Sequence, residues 1–424
     1  MFGNSKGEAP VPRQENTKEL ILERAFGLFA KPRLGEMSLS ELAAATGISK
    51  TAIFRHYKNK EDLLDAMRQR FFEALSQMFD EIGAGEKFYN LKRVERVIDC
   101  VFEFNKSRPN FLPYFLQTSF SDAILTEGVK IILQDNGVNL FNEDFFKEAK
   151  NFLPKKLIPS FFEQTLLIFL FVGLGGRDEW VSVNDPKLYK KALSQLIYSG
   201  LGKKKNPIAP ERKKELDAIC EIQFDDDEKT NRFLNAFVKL IQESGSSKIT
   251  VEKIASALGM AKSSVYAFFA NKRDYLVNML FQETERMNVV LKERVALAKN
   301  CDEALYIMMK SQANYFARRP QVIMLHGYFV FQEAALPREN VERFRERTMT
   351  MLKSGVMTNI MPNAFNFPVN QNALLYIKWI SGLTVGYMLM GTKYKLPPEW
   401  LDFYVSSVFE MIECGIKFAC NDGE

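Results

Sequence analysis

The chain repeats itself once, and the repeat length is half of the chain. Residues 38–67 read SLSELAAATGISKTAIFRHYKNKEDLLDAM and residues 250–279 read TVEKIASALGMAKSSVYAFFANKRDYLVNM, aligned without a gap at an offset of 212 residues. Nine of the thirty positions are identical, among them Gly47/Gly259, Lys50/Lys262, Asn59/Asn271, Lys60/Lys272 and Leu64/Leu276. Others keep size and polarity, as in Leu42/Ile254, Thr51/Ser263, Ile53/Val265 and Phe54/Tyr266. Solenoid repeats have periods of roughly 20–50 residues, so a repeat this long is a duplicated domain. At 424 residues the chain also exceeds what one hydrophobic core organises.

Composition removes several classes of protein. The longest apolar run, residues 166–176, is too short to span a bilayer and is bounded by Glu163 and Arg177, so no membrane partner is expected. Five scattered cysteines form no paired zinc or thioredoxin spacing, and the N-terminus has no basic-then-apolar leader; a reducing cytoplasm is expected. No dinucleotide fingerprint, Walker A loop, GxSxG elbow or HExxH pair occurs, so the chain reads as a non-enzyme with no cofactor. His56 and His326 each lack Cys, Asp or Glu partners at ligand spacing, and no metal site is expected. The net charge of +5 permits nucleic-acid binding without demonstrating it.

Each copy reads as three helices. Residues 17–30 place Leu20, Ile21, Ala25, Phe26, Leu28 and Phe29 on one broad face, and residues 232–242 do the same with Phe233, Leu234, Phe237, Val238 and Ile241. Ser38 or Thr250 can cap a second helix, whose inward face is Leu39, Leu42 and Ala43, or Val251, Ile254 and Ala255. Gly47 or Gly259 ends it. A third helix follows at once, from about 49 to 57 and from 261 to 269, with Ile53 or Val265 inward and small polar residues around it. This is the spacing of a helix-turn-helix, whose second member enters the DNA major groove. Short helices joined by glycine occur in many helical proteins, but two copies at one spacing weigh against coincidence. Lys50 and Lys262 stand early in the recognition helices. Lys60 and Lys272 begin a fourth helix, where the N-terminal dipole favours phosphate.

On residues 28–64, LFAKPRLGEMSLSELAAATGISKTAIFRHYKNKEDLL, and 240–276, LIQESGSSKITVEKIASALGMAKSSVYAFFANKRDYL, the chain resembles the TetR/AcrR family of transcriptional regulators, twice. The resemblance implies an all-α fold of two tandem units. Each would be a three-helix DNA-binding domain joined through a fourth helix to a helical-bundle domain for ligand binding and dimerisation. It implies a regulator of double-stranded DNA, more a repressor than an activator. Ser38 and Thr250 would hold phosphate, Lys50, Thr51, Lys262 and Ser263 would face DNA, and Lys60 and Lys272 would clamp the backbone. Phe54 and Tyr266 would occupy the family's usual tyrosine position. Ser49, Arg55, His56 and Ser264 complete the DNA-facing set, with His56 packing and bonding on the phosphate side. The copies depart from one another where Arg55, His56 and Tyr57 are replaced by Ala267, Phe268 and Phe269, which implies unlike half-sites. The alternative is a helical small-molecule-binding or protein-interaction protein with one or both readers degenerate.

The implied divisions are 1–69 for a tail and the first reader, 70–202 for the first helical domain, 203–228 for a linker and the start of the second unit, 229–282 for the second reader and 283–424 for the second helical domain. Residues 202–214, GKKKNPIAPERKK, read as an exposed joint, and residues 225–229, DDDEK, as an acidic helix start. Segments 159–174 with 188–201, and 371–390 with 400–418, read as pairing bundles. A covalent link raises the effective concentration of one half for the other, so intramolecular pairing is expected, with a homodimer of full chains as the alternative. A small apolar effector is expected in the helical domains, near Phe102, Arg108, Phe111, Tyr114, Phe115 and Phe120 in the first, and near Tyr315, Phe316, Met324, His326, Tyr328 and Phe329 in the second.

Overall fold

The computed structural model describes residues 13–29, 37–83, 90–118, 122–136, 186–200, 208–224, 250–268, 272–323 and 399–415, with scattered positions in 232–240 and 325–388. The first unit contains α1 (Arg13–Phe29), α2 (Leu39–Thr46), α3 (Lys50–Phe54), α4 (Lys60–Ile82), α5 (Leu91–Ser107), α6 (Phe111–Thr118), α7 (Ala123–Asp135) and α8 (Pro186–Ser199). Beyond it lie α9 (Pro210–Ile219), α10 (Val251–Leu258), α11 (Lys262–Phe268), α12 (Lys272–Val295), α13 (Cys301–Arg318) and α14 (Glu399–Cys414). The fold is all-α. No helix among the described residues is long and apolar enough to cross a membrane. In the repeat, α10 to α13 answer α2 to α5, and α14 answers α8. The two α5-type helices even end alike, at Arg108 (φ −136, ψ 66) and Arg319 (φ −131, ψ 64).

The long helix α4 organises the first unit. Leu63, Met67, Phe71, Ala74, Leu75, Met78, Phe79 and Ile82 recur at helical spacing and are buried, so one apolar stripe packs against α1 in the reader and against α5 and α7 beyond it. Phe71 is its hub. Its ring lies 5.5 Å from Phe115, 5.9 Å from both Phe111 and Tyr114 and 6.3 Å from Phe104. Nearer the reader, buried Arg68 bonds Asp122 at 2.9 Å and Asp65 at 2.7 Å and pairs with Glu61, tying α4 to the start of α7.

The second unit builds the same crossing from different chemistry. The position of Phe71 is taken by Glu283, which is fully buried and accepts a 2.8 Å bond from the Tyr315 hydroxyl. Arg319 lies 3.3 Å from the same carboxylate and stacks over the Phe224 ring, 5.0 Å away. A buried charge is tolerated when it is paired and bonded in this way. Burial, then the Glu283 charge, pushes the Tyr315 hydroxyl pKa up. The position of Arg68 is held by buried Leu280.

The expected joint over residues 202–214 is corrected at its C-terminal end. Pro210 opens α9, with its fixed φ and missing N–H suited to a first helical position. The helix is docked on α13: Arg212 holds Glu303 through two bonds of 3.0 and 2.7 Å, and Asp217 accepts a 2.6 Å bond from Tyr306. Lys213 reaches Ser406 of α14 at 2.8 Å. Leu216 and Cys220 are fully buried beneath these polar contacts. Arg212 and Lys213 of this segment thus bind the second unit, while Glu211 and Lys214 stay exposed.

The two repeats meet backbone to backbone. Gly200 and Gly415 terminate α8 and α14 in the left-handed region, at φ 61 and φ 69. A Cβ at Gly200 would stand 2.4 Å from the Gly415 nitrogen, and one at Gly415 would stand 2.3 Å from the Gly200 nitrogen. Leu196 and Ile197 on one helix, and Met411 and Ile412 on the other, are buried around this contact. Equivalent helix ends therefore touch across a local two-fold relation. Gly415→Val should cost about 2–5 kcal/mol, combining a left-handed backbone penalty with overpacking against unyielding backbone. Gly47→Val, at φ 70 with nothing within 4 Å of the added Cβ, isolates the backbone part at about 1–2 kcal/mol. Urea denaturation of both variants tests the contact, and equal losses would refute it.

Candidate nucleic-acid interface

Each reader begins with a capped helix. Ser38 has extended backbone, its hydroxyl accepts from the Glu41 N–H at 3.1 Å, and the Glu41 carboxylate accepts from the Ser38 N–H at 2.8 Å. This reciprocal arrangement satisfies two backbone donors that the helix leaves free. Thr250 caps α10 through a 3.3 Å bond from the Lys253 N–H, but its third helical residue is lysine and returns no such bond. Gly47 (φ 70) and Gly259 (φ 63) then turn the chain in the left-handed region. Both caps and both turns stand where the sequence expects them.

Beneath the recognition helices the apolar face is closed. Leu42, Ile53, Ile254 and Val265 are at most 5% exposed. The opposite face of α3 presents Lys50, Thr51 and Phe54 to solvent, with Arg55 exposed just past its end, and Phe54, at 46% exposure, is among the most open large apolar side chains described. Ser49 is exposed too, but its hydroxyl accepts from the Ala52 N–H at 3.1 Å and so caps α3. The expected third helix through Tyr57 stops at Phe54. Arg55 and His56 lie in the closing turn, where the His56 and Tyr57 N–H groups both bond the Ile53 carbonyl, at 2.9 and 3.0 Å. His56 is half-buried, and Tyr57 is buried with its hydroxyl pKa raised, first by burial.

Lys60 is half-buried at the first position of α4, just after Asn59 caps that helix through a 2.8 Å bond from the Asp62 N–H. On α11, Lys262 and Ser263 are exposed and Ser264 is half-buried. The side chains of Tyr266 and Lys272 lie outside the described residues. One electrostatic feature of the second reader was not anticipated from sequence. Glu252, at the second position of α10, forms an ion pair with Lys262. Its carboxyl pKa falls to about 2, first through the Lys262 bond and then through its own backbone and the Thr250 hydroxyl. The signal available in sequence was an acid at a position where the first copy has Ser40.

The expected effector residues divide into core and cleft. Phe111 and Tyr114 are buried in the Phe71 cluster, Phe115 stacks on Phe71, and Phe102 is half-buried with Lys190 5.3 Å from its ring centre. Tyr315 and Phe316 are fully buried in the second unit. A cleft of about 900 Å³ opens between α1, α4 and the α5–α6 turn, lined by Phe26, Gly27, Ala74, Gln77, Arg108 and Phe111 among others. Arg108 spans its wall, bonding Gln77 at 3.0 Å and Ser107 at 3.1 Å. Of the twelve expected residues, Arg108 and Phe111 line this cleft. Phe120, Met324, His326, Tyr328 and Phe329 lie outside the described residues.

The geometry is that of two exposed, cationic short helices, each set on a capped helix and a glycine turn. Comparison with known families agrees. The family described as "Bacterial regulatory proteins, tetR family" matches twice, at residues 21–67 and 233–278, the two segments that contain these helices.

Proposed function

Because this chain belongs to the TetR family and carries the family's DNA-binding unit twice in tandem, we propose that it is a ligand-responsive, sequence-specific repressor that binds duplex DNA as an intramolecular pseudo-dimer. The observation that carries this reading is the Gly200–Gly415 contact between repeat-equivalent helices of one chain. In a dimer of single units such a contact would join two molecules. Here a single polypeptide supplies both sides, and the covalent link makes their encounter intramolecular. We take the divisions 1–69, 70–202, 203–228, 229–282 and 283–424 as the working units, with α9 as the start of the second.

In each reader the N-terminal part of the recognition helix enters the major groove and the preceding helix crosses the backbone. Lys50, Thr51, Phe54 and Arg55 read the first half-site, with the Phe54 ring suited to apolar contact such as a thymine methyl. Ser263, Ser264 and Tyr266 read the second, and Lys262 beside them reaches base acceptors or the adjoining phosphate. Ser38, Ser49, His56, Lys60, Thr250 and Lys272 contact phosphate and set register without specifying sequence. Since the two sets differ, the operator is asymmetric. Repression follows from occlusion of a promoter.

A small, largely apolar effector acts through the helical domains; the 900 Å³ cleft joins α1 of the reader to the α5–α6 turn, and its charged Glu19, Glu23, Arg70, Glu73 and Arg108 would meet a polar group on such a molecule. An occupant that favours one relative setting of these elements shifts the DNA-competent population.

Four measurements test the reading. Operator fragments selected from genomic DNA should share a compact asymmetric motif, and sedimentation should give one chain per minimal site; two chains would favour the full-chain homodimer. Lys60→Ala with Lys272→Ala should weaken binding to all operators alike and reduce the salt slope by about 2, near one per lost phosphate contact. An unchanged slope removes the phosphate assignment. A panel of apolar compounds should contain some that lower operator affinity severalfold, and indifference across the panel would defeat the effector reading.

A further inference from the structure

The second reader carries an acid where the first carries none. Glu252 occupies the repeat position of Ser40, at the N-terminal end of the helix that would cross the DNA backbone. Its carboxylate engages the Lys262 ammonium, a group assigned above to the second half-site. The Lys262 and Glu252 side chains remain 49% and 57% exposed, so the pair sits on the open face and not in the core. In the first reader the nearest acid, Glu41, lies one residue further along and is spent on the Ser38 backbone N–H. Lys50 accordingly has no ion-pair partner among the described residues.

We propose that Glu252 is an internal phosphate mimic that restrains the second reader, holding Lys262 in the place of a DNA phosphate and making the second half-site the weaker one. The inference rests on the reading that both recognition helices engage DNA. A carboxylate and a phosphate oxygen present the same kind of acceptor to an ammonium. DNA must therefore exchange one anion for another at Lys262, while Lys50 has no such acid to give up among the described residues. The carboxylate also stands beside incoming phosphates, and like charges brought together at an interface disfavour it. Exposed ion pairs contribute little to folding, so stability does not account for this one. The burial of Leu258, Ile254 and Val265 holds the fold of the second reader independently of Glu252.

The test uses the full chain, a selected operator and a fluorescence-anisotropy titration across salt concentrations. Glu252→Ser installs the first reader's residue, and Glu252→Gln removes the charge at constant shape. Both should tighten binding by roughly tenfold at low salt and steepen the salt slope by about 1, as expected for one cation released to phosphate. The gain should vanish on an operator whose second half-site is scrambled. Wild-type affinity and slope in both variants would overturn the inference while leaving the regulator reading intact. A gain that survives scrambling of the second half-site would also overturn it, because Glu252 would then act elsewhere. A wild-type chain that selects no motif would overturn the regulator reading itself, and this one with it.

Discussion

The first unit is held together by one long helix, α4, that belongs to two domains at once. The apolar stripe of α4 serves the reader through Leu63 and Met67 and the helical domain through Phe71 to Ile82, without a break between them. A reader so attached cannot reorient as a free body, since any rotation of α4 must be accommodated in the Phe71 cluster. The two units meet that constraint differently. Aromatic packing around Phe71 has a broad energy minimum, because burial is proportional to area and largely indifferent to direction. The Glu283, Tyr315 and Arg319 group has a narrow one, because hydrogen bonds weaken steeply with angle and a stranded buried charge is costly. The first unit is therefore the more compliant and the second the more rigidly indexed.

The reader was legible in the sequence because its determinants are local. A serine or threonine cap, a left-handed glycine and one inward β-branched residue are fixed by neighbours within a turn or two, and all stand where the sequence puts them. What stayed hidden depends on distant partners. Residues 210–214 look like linker because they are charged and follow a proline-containing stretch, yet Glu303, Tyr306 and Ser406 turn that charge into a docked helix. The side chains of Phe111 and Tyr114 read equally well as pocket wall or core from spacing alone, and packing with Phe26 and Phe71 decides it. The Glu252 pair crosses ten positions and two helices, with no periodic signature to mark it.

The contrast between the copies is also chemical. The first reader has more polar side chains around its recognition helix and a capping box that absorbs its acid. The second has Ala267, Phe268 and Phe269 in the corresponding run and leaves its acid on the surface. The Ser40/Glu252 difference lies on the exposed surface, while the inward residues Leu42/Ile254 and Ile53/Val265 keep their character. Two faces of each helix have thus followed different constraints: packing conserves shape, and exposure leaves charge free to change.

The glycine contact adds a constraint of another kind. When identical molecules meet across a two-fold axis, a residue near the axis faces its own copy, and every replacement there arrives twice and collides with itself. Gly200 and Gly415 lie in such a place but are encoded separately. A larger side chain on one could be met by an adjustment around the other, one step at a time. Duplication thereby turns a position that must satisfy itself into two positions that need only satisfy each other.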